Sequence, residues 1–363
     1  MKLKIKKENL LSGIQVVQGI ITTKSALPIL SNILLEVNQN KLRLTATDLD
    51  IGINCAIDVD ALEVGSITLP AKRFCDIIKE LPDEEINITV KKNNLAIIET
   101  TNCQFKIMGL SAGEFPKLPE FKDREVITID QVVLKEMISK TSFAVSFDET
   151  RYILNGILFK IKDDSLTFVA TDGRRLALIE KKMAAPINKT IDIIVPIKTI
   201  QELNRNLKEE GRLSLILGAN QALFEMDNIM IISRLIEGEF PDYKQVIPPV
   251  SAQKIKIDRQ AFLLAIKRAA LLATPDYQAV KLELFKNKLI VSKTTPDVGE
   301  SREEVDAEYA GKELVIGFNP NYLIDVLKIV GDETVEMEVT DTEKPGALRL
   351  EGYVYIVLPM RLG

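Results

Sequence analysis

The chain has 363 residues, of which 46% are hydrophobic and 27% charged, with a formal net charge of −5 and neither histidine nor tryptophan. At about 150 residues per domain this length holds two or three domains of ordinary globular balance. The missing histidine excludes Ser-His-Asp and Cys-His nucleophile systems and any His-containing zinc site, and the three scattered cysteines, Cys55, Cys75 and Cys103, form neither a disulfide framework nor a CxxC metal site.

Residues 1–7 alternate charge and apolarity with period two, the pattern of a strand and not of a signal peptide. No apolar run approaches the ~18 residues of a membrane span, so no membrane is expected and the setting is the reducing cytoplasm. Helices are predicted over 8–19, 71–81, 130–144, 197–208, 258–272 and 320–330 from apolar residues at helical spacing. Asn9, Asp130 and Asp258 are the expected caps of the first, third and fifth, and proline stands at the start of the other three.

These elements recur. Leu44-Thr45-Ala46-Thr47-Asp48 returns as Phe168-Val169-Ala170-Thr171-Asp172, 124 positions on, and a degenerate copy ends at Asp297. Gly113-Glu114-Phe115-Pro116 matches Gly238-Glu239-Phe240-Pro241, 125 residues apart. The chain therefore reads as three copies of one unit, 1–122, 123–250 and 251–363, with boundaries at polar or proline-containing stretches. Two helices per unit cannot cover both faces of so many short strands. An α+β unit with antiparallel sheets is expected.

Chemical motifs are few. Gly109-Leu110-Ser111-Ala112-Gly113 has the spacing of a nucleophile elbow but leads into a proline-containing loop and lacks a base, so it reads as a loop. Thr47-Asp48 and Thr171-Asp172 read as turns at strand ends, with Asp accepting local N–H groups. Arg174 and Arg175 follow in such a turn, where either a solvated role or a fork for carboxylate or phosphate is open. The six predicted helices carry twelve basic and eight acidic residues, net +4, leaving −9 elsewhere. A basic helical layer suits phosphate contact, while ordinary amphipathic faces explain the same count.

The chain resembles, over its whole length, the bacterial sliding clamps, the beta subunits of DNA polymerase III. Leu27-Pro28-Ile29-Leu30, Arg151-Tyr152-Ile153-Leu154-Asn155-Gly156, Ala170-Thr171-Asp172-Gly173-Arg174-Arg175-Leu176, Phe240-Pro241-Asp242-Tyr243 and Leu358-Pro359-Met360-Arg361-Leu362 carry the likeness. The resemblance implies three clamp domains and a ring-forming head-to-tail homodimer around double-stranded DNA. It implies a processivity factor, not an enzyme, with no cofactor and no metal. Its partners would be a clamp loader, the replicative polymerase and repair proteins that bind through short linear peptides.

The resemblance places DNA contacts at Lys24, Arg73, Tyr152, Lys198 and Arg205. It places the dimer contact at Phe105, Ile107, Leu271 and Leu272. The partner-peptide pocket would comprise Leu154, Thr171, Gly173, Arg174, Arg175, Leu176, Pro241, Val246, Ile356, Leu358, Pro359, Met360 and Arg361. Departures from other members are Arg174 for histidine, Gln245 for arginine, Lys24 for arginine, and an added Gly363.

Overall fold

The structure is a computed structural model that describes residues 1–21, 27–121, 125–251 and 253–362, with only the backbone of Ala184, Ala185 and Asn188. Lys24, Gly363 and the expected boundary at Asp123 lie outside the described residues. Among those described are six α-helices: α1 Lys7–Val17, α2 Ala71–Glu80, α3 Gln131–Thr141, α4 Ile197–Asn206, α5 Arg259–Ala270 and α6 Pro320–Ile329. Each matches a predicted helix to within a few residues, because each buries one apolar stripe: Phe74, Cys75 and Ile78 on α2, and Leu323, Val326 and Leu327 on α6.

The caps divide. Asp258 accepts from Ala261 N at 2.7 Å and Asn319 from Asn321 N at 3.0 Å. Asn9 does not cap, contrary to expectation. The strand Lys2–Lys6 runs straight into α1, so the helix starts at Lys7 and Asn9 already lies inside it.

All strand pairing is antiparallel, and the chain separates into two compact units. The first comprises residues 1–135 and 198–235. One of its sheets has five strands, in the order Asp60–Glu63, Lys2–Lys6, Glu85–Val90, Leu95–Glu99, Gln104–Met108. The other has eight strands and runs from Val126–Asp130 at one edge to Gly65–Pro70 at the other. At its middle, Ile229–Arg234 of the second repeat pairs with Ile51–Asp58 of the first. We call this strand pair the first junction.

The second unit comprises residues 136–197 and 236–363 and holds a ten-stranded sheet. Here Arg175–Pro196 of the second repeat pairs with Tyr353–Val357 of the third, the second junction. Short strands were expected throughout, yet Gly156–Thr171 and Arg175–Pro196 form a hairpin of 16- and 22-residue strands. The middle repeat thus gives strands to both units. A repeat with an unpaired strand edge gains backbone hydrogen bonds by joining its neighbour's sheet, which also removes a liability to aggregation.

Candidate functional site at the second junction

The Thr-Asp motif builds the same turn at both junctions. Thr47 Oγ1 donates to Ile51 O at 2.9 Å and accepts from Leu49 N at 3.0 Å, while Asp48 accepts from the N–H groups of Asp50 and Ile51. In the second copy Thr171 Oγ1 donates to Arg175 O at 2.6 Å and accepts from Gly173 N, and Asp172 accepts from Arg174 N and Arg175 N. The third turn residue is left-handed in both: Gly173 at φ +84° and Leu49 at φ +82°. These carboxylates are turn locks. Ser111 likewise spends its hydroxyl on Gly113 N, in a loop.

Arg175 is the anchor of the second turn. Its Nε reaches Asp172 Oδ2 at 3.0 Å and its Nη1 reaches Asp325 Oδ2 on α6 at 2.6 Å, while Nη2 donates to Phe143 O. The guanidinium also lies 4.5 Å from the Tyr322 ring centroid and 5.5 Å from that of Phe143. Burial pulls its pKa down, but the Asp325 hydrogen bond and the surrounding charges carry it above the ordinary arginine value. Tyr355, buried beside it, donates to Tyr322 O at 2.8 Å, and burial drives its phenol well above the ordinary range. Arg175 is therefore a structural tie, with each of its three nitrogens donating inside the protein, whereas the Arg174 side chain points out and is exposed.

Beyond the turn, Leu176 pairs with Ile356, each 2% exposed, and with Leu158, Val169, Ile194 and Ala347 they form a buried apolar floor. Ile153, Phe240, Tyr243 and Ile247 pack against it from the loops. Around this floor stand half-buried Leu154 and Thr171 and exposed Gly173, Pro241, Val246 and Leu358. Leu358 N donates to Arg174 O at 2.9 Å, and Met360 N donates to Gly317 O at 2.8 Å. These bonds lay the tail, with half-buried Pro359 and Met360 and exposed Arg361, beside the turn and along the strand Leu314–Phe318. Ile356, Leu358 and Met360 do not share one strand face as their alternation suggests, because the strand ends at Val357.

The arrangement offers an apolar floor with exposed aliphatic side chains and the exposed cations Arg174 and Arg361, a surface suited to an extended peptide with apolar anchors. Asp325, Tyr322 and Phe143 were not singled out from the sequence. They lie 150, 147 and 32 positions from Arg175, and no local pattern connects them. Tyr243 had a usable signal, since it follows the repeated Gly-Glu-Phe-Pro motif.

The other predicted residues sit as follows. Arg73 is exposed on α2, and Tyr152 is 56% exposed on the 3₁₀ turn Glu149–Leu154. Lys198 pairs with Asp48, and Arg205 pairs with Glu202 and donates to Val16 O at 2.8 Å. Burial lifts the Glu202 carboxyl above its usual value, against the pull of Arg205 and Lys198. Phe105 is exposed on the edge strand Gln104–Met108, but Ile107, two residues on along the same strand, is only 7% exposed. Leu271 is 81% exposed at the end of α5, and half-buried Leu272 accepts from Thr295 Oγ1. No group of three or more His, Cys, Asp or Glu side chains that could hold a metal occurs among the described residues, and no helix there is long and apolar enough to cross a membrane.

Three family matches run in series along the chain. They are the DNA polymerase III beta subunit N-terminal domain over residues 1–119, its central domain over 128–242 and its C-terminal domain over 244–361. The beta sliding clamp of Pseudomonas aeruginosa is 35% identical, the match covering 100% of both proteins. The solved clamp of that organism bound to griselimycin superposes with a TM-score of 0.95 at 35% identity, covering 100% of each chain. The sliding clamp of Bacillus subtilis does so with a TM-score of 0.95 at 32% identity and the same coverage.

Proposed function

The chain belongs to the DNA polymerase III beta subunit family, the bacterial sliding clamps, and we propose that it works as a homodimeric ring around duplex DNA. In this reading two copies close head to tail, a clamp loader opens the ring, and the groove at the second junction holds the replicative polymerase and repair proteins. The protein is a non-catalytic processivity factor acting on the cytoplasmic chromosome. Its domains are 1–122, 123–250 and 251–363.

The observation that carries the reading is the match of all three family domains in order, along a chain whose second junction has an apolar floor beside an exposed arginine. A partner peptide would lay apolar anchors over Leu176 and Ile356, flanked by Leu154, Pro241, Val246, Leu358 and Met360. Arg174 would supply the directional polar contact. A Leu-sized anchor buried there contributes about 1.5–3 kcal/mol, so two suffice for useful affinity. Phe105 and Leu271 are the exposed apolar groups for the dimer contact, with buried Ile107 two residues along the same strand and half-buried Leu272 next to Leu271. Lys24, Arg73, Tyr152, Lys198 and Arg205 would face DNA, the last two after giving up their carboxylate partners.

Persistence on DNA is then topological. Phosphate contacts weaken steeply with salt as counterion release is reversed, but a closed ring leaves a circle only by opening. After loading on nicked circles, a high-salt wash should retain the protein and linearisation should release it. Equal loss from both forms overturns the reading.

A further inference from the structure

The first junction repeats the plan of the second, strand for strand. Ile232 pairs with Gly52 and Leu223 with Ile232, as Ile356 pairs with Leu176 and Ala347 with Ile356. The aligned positions are thus Gly52 and Leu176, Ile232 and Ile356, Leu223 and Ala347. Each floor is covered from the linker after its Gly-Glu-Phe-Pro motif, the second by Tyr243 and Ile247. Leu118 and Phe121, which follow the first Gly-Glu-Phe-Pro motif, pack on Ile216, Leu223 and Ile232. Leu118 fills the space that a side chain at position 52 would take, since a Cβ built on Gly52 would meet Leu118 Cδ2 at 2.5 Å. Phe121 stands 3.2 Å from the place of a Cβ on Gly218.

The covering segment is attached as a ligand is attached, by its side chains. Pro116 and Pro119 have no N–H to donate, and among the described residues no backbone hydrogen bond reaches Lys117 or Leu118. An extended stretch with an aliphatic anchor and, three residues on, an aromatic one therefore sits in an apolar groove built like the candidate partner groove.

We infer that the first junction is a second peptide groove, occupied in cis by Leu118 and Phe121, which takes an external peptide of the same chemistry once those anchors are withdrawn. The inference rests on reading the second junction as a partner groove. It implies that each chain has two grooves of one design, the first of them with a linker leucine seated over its glycine.

The test is a calorimetric titration of the full-length protein with a capped peptide of residues 116–121, Pro-Lys-Leu-Pro-Glu-Phe. The wild type sets the baseline stoichiometry. L118A/F121A is expected to bind one more peptide per chain, and a peptide with alanine at both anchors is expected to lose that added site. A folded double variant with wild-type stoichiometry overturns the inference. Should the double variant not fold, F121A alone is titrated, and the presence or absence of the added site decides in the same way. If the wild type binds no peptide at all, it is the reading of the second junction that suffers, while the added site in the variant still decides the first.

Discussion

At the first junction Ile232 stands beside a glycine and is roofed by Leu118 and Phe121, whereas at the second Ile356 stands beside Leu176 and is bordered by exposed Val246 and Leu358. The turn above each is the same Thr-Asp lock, yet the residue that follows it is Ile51 in one and Arg175 in the other. Ile51 is 2% exposed and packs as a plain hydrophobe, while Arg175 holds two carboxylates, a backbone carbonyl and two aromatic rings. One duplicated design has thus been finished in two ways. Where the floor lacks a side chain, the linker supplies one and the groove is filled. Where Leu176 completes the floor, the linker's Tyr243 and Ile247 pack against it, with exposed Val246 and Leu358 nearby in the chain.

The largest test of this contrast is Arg175→Ala. It strands Asp172 and Asp325 without their cation, for which a loss of roughly 3–5 kcal/mol is expected. Chemical denaturation should show it, and peptide affinity at the second junction should fall with it. A loss below that of an ordinary surface substitution would mean that the tie does not organise the turn.

Leu118→Ala comes next. It removes the filler above Gly52 from a half-buried position, and a loss of about 1–3 kcal/mol follows from the vacated apolar contact. Gly52→Leu makes the complementary change by supplying the missing floor side chain. Leu118 should then be displaced, seen as faster proteolysis of the linker around residues 116–121, with the second junction's peptide affinity unchanged. Equal proteolysis rates in Gly52→Leu and wild type would break the proposed exchange of roles.

The smallest expected effect lies in the turns. Leu49 holds a left-handed backbone that costs a non-glycine residue about 1 kcal/mol, so Leu49→Gly should stabilise slightly despite the added unfolded-state entropy. Gly173→Ala should destabilise by about 1 kcal/mol, because a Cβ there is strained and meets Arg151 Nη1 at 3.0 Å. Thermal unfolding of the pair compares the two turns directly. The same sign for both substitutions would show that the turns are not equivalent.

Helix positions, the repeated turn and the three-part organisation were legible in the residues because each is a local pattern. Apolar spacing sets a helix face, and a Thr or Asp side chain reaches backbone donors only two or three residues away. The resemblance named the groove's residues, but their division of labour was not legible. Arg174 and Arg175 are adjacent and chemically identical, and only the fold leaves the first exposed in the turn and ties the second, where the strand begins, to Asp172 of the turn and Asp325 of α6.

The alternation of Lys2–Lys6 and the apolar stripes of α2 and α6 were determined by the sequence itself, since the pattern that marks each recurs within two to four residues. The middle repeat's gift of strands to both units, the seating of Leu118 over Gly52 and the bond from Arg175 to Asp325 were decided by tertiary structure alone. Each joins residues from 66 to 182 positions apart. Which of many apolar or charged groups meets across such a separation depends on strand register, and register is settled only when the sheets assemble and bury their faces together.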